Sequence, residues 1–163
     1  MDADVFVFTF KDGALSALAH DLKLKVGRVE LEASEESVTA TLDAGSLKVV
    51  CARKDGHDNP GSLLKLLHAE IEKNLVKDVL ESAKFPKVSF TSTRVTATEI
   101  VGQLTLHGVT KEIRCKRSPD GTVEARLDQR DFRIKPYSAA FGTMKVKPEV
   151  IVTAKLLSPA SPR

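Results

Sequence analysis

The sequence predicts a mainly β protein: one domain over residues 1–157, folded as an antiparallel β-barrel of about eight strands with one amphipathic helix. Most of the chain alternates apolar and polar residues with period two, which is typical of strands with two different faces. The connections are too short for crossover helices, which favours antiparallel pairing. One segment, 62–82, repeats its apolar residues every four positions instead. A chain of 163 residues can bury one sizeable core.

The first predicted strands precede residue 52. Residues 5–10 interleave two sets, Val5, Val7 and Thr9 with Phe6, Phe8 and Phe10. Residues 22–26 alternate leucine and valine with lysine, and after Gly27 the apolar positions move by an odd step to 29 and 31. This shift predicts a bulge or sharp bend at Gly27. Residues 38–42 and 47–51 alternate in the same way.

The segment 62–82 is predicted to be a capping helix. Ser62 is a candidate N-cap. The segment holds three lysines against four acidic residues, a poor match for an anionic membrane surface, so we expect its apolar side to pack on a sheet edge or an open barrel end. The repeated apolar residues are Leu63, Leu67, Ile71, Leu75 and Val79.

Period two returns in the second half of the chain. Further strands are predicted around 88–90, 100–106, 113–115, 123–127 and 150–156. His107-Gly108 and the residues 118–121, Ser-Pro-Asp-Gly, are turn sequences between them. Residues 158–163 are predicted to be a flexible C-terminal tail.

Charge and hydropathy exclude several classes of partner. The net charge is only +3, without a basic run, so nucleic-acid binding is not predicted. No apolar stretch is long enough to span a membrane. The apolar run at 5–8 is also too short for a secretion signal, so the chain as written is predicted to be cytoplasmic, or periplasmic or secreted if a leader was removed.

Reactive side chains form no recognisable catalytic or metal motif. Cys51 and Cys115 are far apart without a CxxC pattern and are expected to be buried free thiols, although a disulfide or redox pair stays open. The four histidines lack metal-ligand spacing, so no metal, cofactor or catalytic residue is predicted. We expect His107 to brace its turn by a hydrogen bond.

Five motifs occur in order along the chain: Ala19-His20-Asp21-Leu22, Phe85-Pro86, Val88-Ser89-Phe90-Thr91-Ser92, the run 102–111 with the sequence GQLTLHGVTK, and Asp128-Gln129-Arg130-Asp131-Phe132. In order and spacing they resemble the YceI-like family over roughly residues 5–157, and the run 102–111 is the most specific of them. Arg133 stands where the family often has glycine.

The resemblance implies a lipocalin-like, extended antiparallel barrel, capped by a helix, whose elongated apolar cavity holds polyisoprenoid or other long-chain amphiphiles. The expected function is therefore non-enzymatic binding, carriage or sequestration of such a lipid, with a homodimer left open. Two alternatives remain: an enzyme acting on a small apolar substrate through His20 and His107 brought together across strands, or a structural or interaction module with a filled barrel. The sequence itself does not decide whether the barrel is hollow.

Two groups of residues are predicted to contact the ligand. A head group bearing phosphate or carboxylate would favour a cationic rim, for which the candidates are Arg130, Arg133, Lys135 and Tyr137. The predicted cavity lining consists of alternating apolar residues, namely Phe6, Phe8, Phe10, Leu22, Leu24, Phe90, Leu104, Leu106 and Phe132.

Overall fold

The structure is a computed structural model that describes residues 2–12, 20–62, 65–139 and 144–156. These residues form thirteen strands and one α-helix, α1, Lys65–Asn74. The strands are β1 Ala3–Thr9, β2 Asp21–Val26, β3 Val29–Ala33, β4 Val38–Asp43, β5 Leu47–Lys54, β6 His57–Asp58, β7 Lys87–Val95, β8 Glu99–Leu106, β9 Val109–Arg117, β10 Val123–Asp128, β11 Ser138–Ala139, β12 Met144–Lys145 and β13 Glu149–Leu156.

Eleven of the strands form one antiparallel sheet, in the order β3-β4-β7-β8-β9-β10-β13-β1-β2-β5-β6. The strand β3, at one edge of this order, comes back into contact with β1, so the sheet rolls up on itself. The short strands β11 and β12 pair separately. The predicted fold class, a mainly β antiparallel barrel with one helix, is confirmed.

Two neighbouring bends shape the wall of the barrel. The predicted bend at Gly27 separates β2 from β3, and the Gly27 amide donates to the Ser46 carbonyl at 2.9 Å. A Cβ atom at Gly27 would lie only 2.9 Å from that same oxygen, so the close approach requires glycine. Opposite it, the 3₁₀ turn Ala44–Ser46 joins β4 to β5, with the Asp43 side chain capping the Gly45 amide. The bend between β2 and β3 therefore lies beside the bend between β4 and β5.

The helix is shorter than the predicted range 62–82. Helix α1 continues as a π-helix, Leu75–Val79, in which the Leu80 amide donates to the Leu75 carbonyl at 2.8 Å. Glu81 then adopts a φ of 48°, which ends the helical path. Residues 63–64, including the predicted apolar position Leu63, lie outside the described residues.

Helix α1 covers the free edge of β5. The Val49 amide of β5 donates to Glu72 Oε1 at 2.9 Å, and the Lys48 ammonium lies 3.7 Å from the other oxygen of the same carboxylate. Without Glu72 this edge amide would lack its partner. Beneath the helix, Ile71 and Leu75 pack against a core cluster built on β2 and β5. In the part of the chain that the structure describes, no helix is long and apolar enough to cross a membrane.

Candidate ligand-binding cavity

The rolled sheet encloses a cavity of about 790 Å³. Every strand of at least five residues contributes to its wall, and the lining is predominantly aliphatic. Its volume lies in the upper part of the range of about 300–1,000 Å³ that is typical of small-molecule sites. The barrel is therefore hollow, and the filled-barrel alternative does not agree with the structure.

Five of the predicted lining residues do face the cavity. Their side chains come from β2, β7 and β8, where the apolar positions of the alternation point inward. That they contact a ligand stays a prediction. The five residues are Leu22, Leu24, Phe90, Leu104 and Leu106.

The prediction that Phe6, Phe8 and Phe10 line the cavity is wrong. The alternation of β1 is as expected, but the opposite set, Val5, Val7 and Thr9, faces inward. On the outer surface, Lys23 Nζ lies 4.7 Å from the ring centroid of Phe6, and the Arg53 guanidinium lies 4.7 Å from that of Phe8. These cations, supplied by β2 and β5, cover the aromatic faces and make an outward position favourable.

Phe132 also does not line the cavity, which corrects a second prediction. It is only 2% exposed and belongs to the core cluster that contains Leu104, Leu127 and Val150. It lies in the 3₁₀ turn Gln129–Phe132 that follows β10. Its ring therefore fills the core beside the cavity rather than facing the open space.

The helix supplies part of the wall. Ile71 of α1 and Leu75 and Val79 of the π-helix line the cavity, as does Leu67, which is 47% exposed. Two polar residues of the same helix, Glu70 and Asn74, also reach the cavity. The four-residue apolar repeat predicts the aliphatic side of this wall. The polar pair was missed, because nothing in the sequence indicates which polar residues flank the inward side.

Of the predicted head-group rim, only Tyr137 lines the cavity. The Arg130 side chain donates two hydrogen bonds to the Asp128 carboxylate, with Nη2 2.7 Å from Oδ2. These hydrogen bonds lower the pKa of Asp128 and raise the pKa of Arg130. Arg133 and Lys135 are exposed and do not line the cavity. Tyr137 is thus the rim candidate that faces the cavity, and its contact with a ligand stays a prediction.

His20 and His107, which the enzyme alternative required to share a cavity, are not brought together. His20 lines the cavity, whereas His107 does not. The His107 Nδ1 atom lies 3.1 Å from the carbonyl oxygen of Phe132, and Nε2 lies 2.6 Å from Glu81 Oε2. Both ring nitrogens are therefore engaged in holding the fold, and the predicted bracing hydrogen bond is confirmed.

The His107-Gly108 turn joins β8 to β9 with positive φ values of 54° and 74°. Such a pair of φ values is typical of the two-residue hairpin turns that suit twisted strands. The Phe85 ring packs against the His107 ring at a centroid distance of 4.4 Å. A Cβ atom at position 108 would lie 2.7 Å from the Phe85 ring, so glycine is needed for both space and backbone conformation.

The two cysteines are free and buried. Cys115 lines the cavity, and burial raises the pKa of its thiol to about 11. Cys51 is buried on β5 and does not line the cavity. Within the described residues, no three His, Cys, Asp or Glu side chains gather into an arrangement that could hold a metal ion.

A rolled antiparallel sheet around an apolar cavity, with a helix along its free edge, is the architecture of lipocalin-like β-barrels. The YceI-like domain matches residues 4–157. The chain therefore belongs to the YceI-like family, which confirms the resemblance carried by the sequence motifs.

Two solved structures share this fold over nearly the whole chain. BcnA of Burkholderia cenocepacia superposes with a TM-score of 0.62, covering 93% of each chain at 13% identity. A polyisoprenoid binding domain from Saccharophagus degradans, implicated in plant cell wall breakdown, gives a TM-score of 0.54. That likeness covers 93% of this chain and 90% of the other, at 10% identity. Similarity at this level of identity establishes the fold.

Curated sequences match over a shorter part of the chain. The UPF0312 protein of Pseudomonas savastanoi pv. phaseolicola is 45% identical over 60 residues, which are 33% of this chain and 31% of that protein. The UPF0312 protein of Pseudomonas syringae pv. syringae matches to the same extent. The chain thus matches about a third of the length of these relatives.

Proposed function

We propose that this protein binds and carries a long-chain apolar molecule, such as an isoprenoid or a fatty amphiphile, in the barrel cavity. The observation that supports this most directly is the cavity of about 790 Å³ with a predominantly aliphatic wall. Each buried methylene contributes about 0.8 kcal/mol, so ten of them contribute roughly 8 kcal/mol before the cost of association. Membership of a family that includes a polyisoprenoid binding domain supports the same ligand class.

Filling the cavity should abolish binding without preventing folding. Ala40 of β4 lines the cavity between its cross-strand neighbours Leu31 and Phe90, so Ala40→Trp places a large side chain in the space a ligand would occupy. Thr39→Trp puts the same side chain at the adjacent exposed position and serves as the control.

The measurement is native mass spectrometry of delipidated protein mixed with an isoprenoid or a fatty acid. We expect a one-to-one complex for the wild type and for Thr39→Trp, and none for Ala40→Trp. A wild-type protein that takes up neither lipid would refute the proposal. Equal uptake by both variants would show that binding occurs outside the cavity.

A further inference from the structure

The part of the cavity wall that the helix contributes is held less firmly than the strands. Neighbouring strands are joined by ladders of backbone hydrogen bonds, such as the six paired positions between β1 and β13. The helix packs on the sheet through side chains instead. Within its described residues 65–79, no residue is fully buried, although its apolar side lines the cavity. The helix can therefore move away from the barrel without breaking the sheet.

The two ends of this helical segment are attached to the barrel in different ways. Just beyond its C-terminal end, Glu81 Oε2 lies 2.6 Å from His107 Nε2, and Leu80 packs against both core clusters. Toward the N-terminus, among the residues 65–73 that the structure describes, only Glu72 makes a polar contact with the sheet. The segment is thus fixed near Glu81, while one polar side chain holds the rest of it.

Glu72 joins the helix to the edge of β5 that lies away from β2. Its Oε1 atom accepts from the Val49 amide at 2.9 Å, and its Oε2 atom lies 3.7 Å from the Lys48 ammonium. The Glu72 side chain is only 21% exposed, so solvent and salt weaken this contact less than one on the open surface. Ile71 of α1 and Leu47 of β5 both line the cavity, so a gap between helix and strand would connect the cavity with solvent.

A bend point lies between Glu72 and the fixed end. In the π-helix Leu75–Val79, the Leu80 amide donates to the Leu75 carbonyl at 2.8 Å, one residue farther back than in an α-helix. Such wide turns interrupt the regular ladder of an α-helix and are places where helices bend. Asn74, just before this turn, lies 3.5 Å from the Tyr137 hydroxyl, which is too long for a strong hydrogen bond. The helix is therefore built to pivot at 75–79.

We propose that the ligand enters and leaves the cavity between α1 and β5, and that Glu72 is the positioning residue that holds α1 closed. When the hydrogen bond between Glu72 and Val49 breaks, α1 turns outward about residues 75–79 and exposes the cavity. When this bond forms again, the wall is complete. The inference rests on the proposed function and adds the entry route and the residue that controls it.

This role predicts an effect on rates rather than on affinity. Glu72 does not line the cavity, and its contact with Val49 is made with the ligand absent. A contact that is equally strong in the free and the bound protein does not change the dissociation constant. Weakening it raises the population of the open arrangement, so association and dissociation should become faster by the same factor.

The test measures both rates by stopped-flow fluorescence with delipidated protein and cis-parinaric acid, a fatty acid that fluoresces more strongly in apolar surroundings. For Glu72→Ala we expect both rates to rise by about three- to tenfold, while Kd changes by less than about twofold. Glu72→Gln keeps an oxygen that accepts from the Val49 amide and should restore rates near those of the wild type. Lys73→Ala, at the adjacent exposed position of α1, is the matched control and should alter neither rate.

A covalent bridge tests the same movement in the opposite direction. Lys48→Cys with Glu72→Cys places one thiol on β5 and one on α1, at positions whose native side chains lie 3.7 Å apart. Cys51→Ser and Cys115→Ala remove the native thiols from this protein. Joining the two new thiols with a short bismaleimide should slow association and dissociation relative to the same protein without the bridge.

The outcomes distinguish this inference from the proposed function. If Glu72→Ala has wild-type rates and the bridge slows neither step, the entry route is refuted and the carrier function stands. If Glu72→Ala raises only the dissociation rate, so that affinity falls by the same factor, the helix is a fixed wall and the role of Glu72 is refuted. An equal effect of Lys73→Ala also refutes it. If the wild type does not take up the probe, the proposed function fails together with the inference.

Discussion

Asp128 joins the end of β10 to the turn that follows. Its carboxylate accepts from the Arg130 amide at 2.9 Å and from the Arg130 guanidinium, which together lower its pKa. A carboxyl group whose pKa is lower in the folded state stabilises the protein above its unfolded pKa of about 3.9, and this contribution is lost as the pH falls.

We therefore expect Asp128→Asn to be less stable than the wild type at pH 7, with the difference shrinking as the pH falls below about 3.9. Chemical denaturation at a series of pH values measures it. Asp131→Asn, at an exposed position of the same turn, is the control and should change stability less. A difference for Asp128→Asn that is independent of pH would contradict the electrostatic explanation.

The alkylation rate of Cys115, which lines the cavity, tests whether the interior of the barrel is enclosed. With its pKa raised to about 11 from 9.0, the thiol at neutral pH is deprotonated about 100-fold less than an unperturbed cysteine. In a Cys51→Ser background, alkylation of Cys115 by iodoacetamide should therefore be at least that much slower in the folded protein than in denaturant. Equal rates in the two conditions would show that Cys115 is not enclosed.

The turn between β8 and β9 is the point where three elements meet. His107 bonds Glu81, just after the π-helix, and the Phe132 carbonyl of the turn that follows β10. The Phe85 ring packs against the His107 ring at a tilt of 52°. Since Val79 of the π-helix lines the cavity, this contact fixes one part of the cavity wall. The most specific run of the sequence, 102–111, thus lines the cavity through Leu104 and Leu106 and stabilises its wall through His107.

His107→Asn tests this contact, because asparagine tolerates the positive φ of the turn but is too short to keep both partners. We expect the free energy of unfolding to fall by about 1–3 kcal/mol. Hydrogen exchange should become faster at the amides of Leu80 and Ser82, which bond back into the helix. The control Gln103→Asn, at an exposed position of β8, should leave these amides protected. Unchanged exchange in His107→Asn would contradict the bracing role.

Strands and turns could be predicted where the apolar alternation ends at residues that favour a turn. This holds for β8, the His107-Gly108 turn and β9. The bend at Gly27 was predictable because the alternation slips there by one residue. The helix end was not, since the chain turns at Glu81, whose positive φ no sequence pattern indicates and whose carboxylate bonds His107 from another part of the chain.

For the molecule as a whole, the sequence predicts a barrel but not which face of each strand lines it. On β1 both faces are rich in apolar residues, and the choice depends on Lys23 and Arg53, which neighbouring strands place over the outer phenylalanines. Of the polar residues in the cavity wall, Tyr137 was predicted, whereas Thr9 and Asn74 were not, because only the fold places β1 and the helix around one cavity.

Calorimetry with straight-chain fatty alcohols of increasing length tests whether the cavity holds a single hydrocarbon chain. We expect affinity to rise about fourfold for each added methylene and to level off once the chain fills the cavity of about 790 Å³. Affinity that does not depend on chain length, or binding that does not saturate at one molecule per chain, would contradict it.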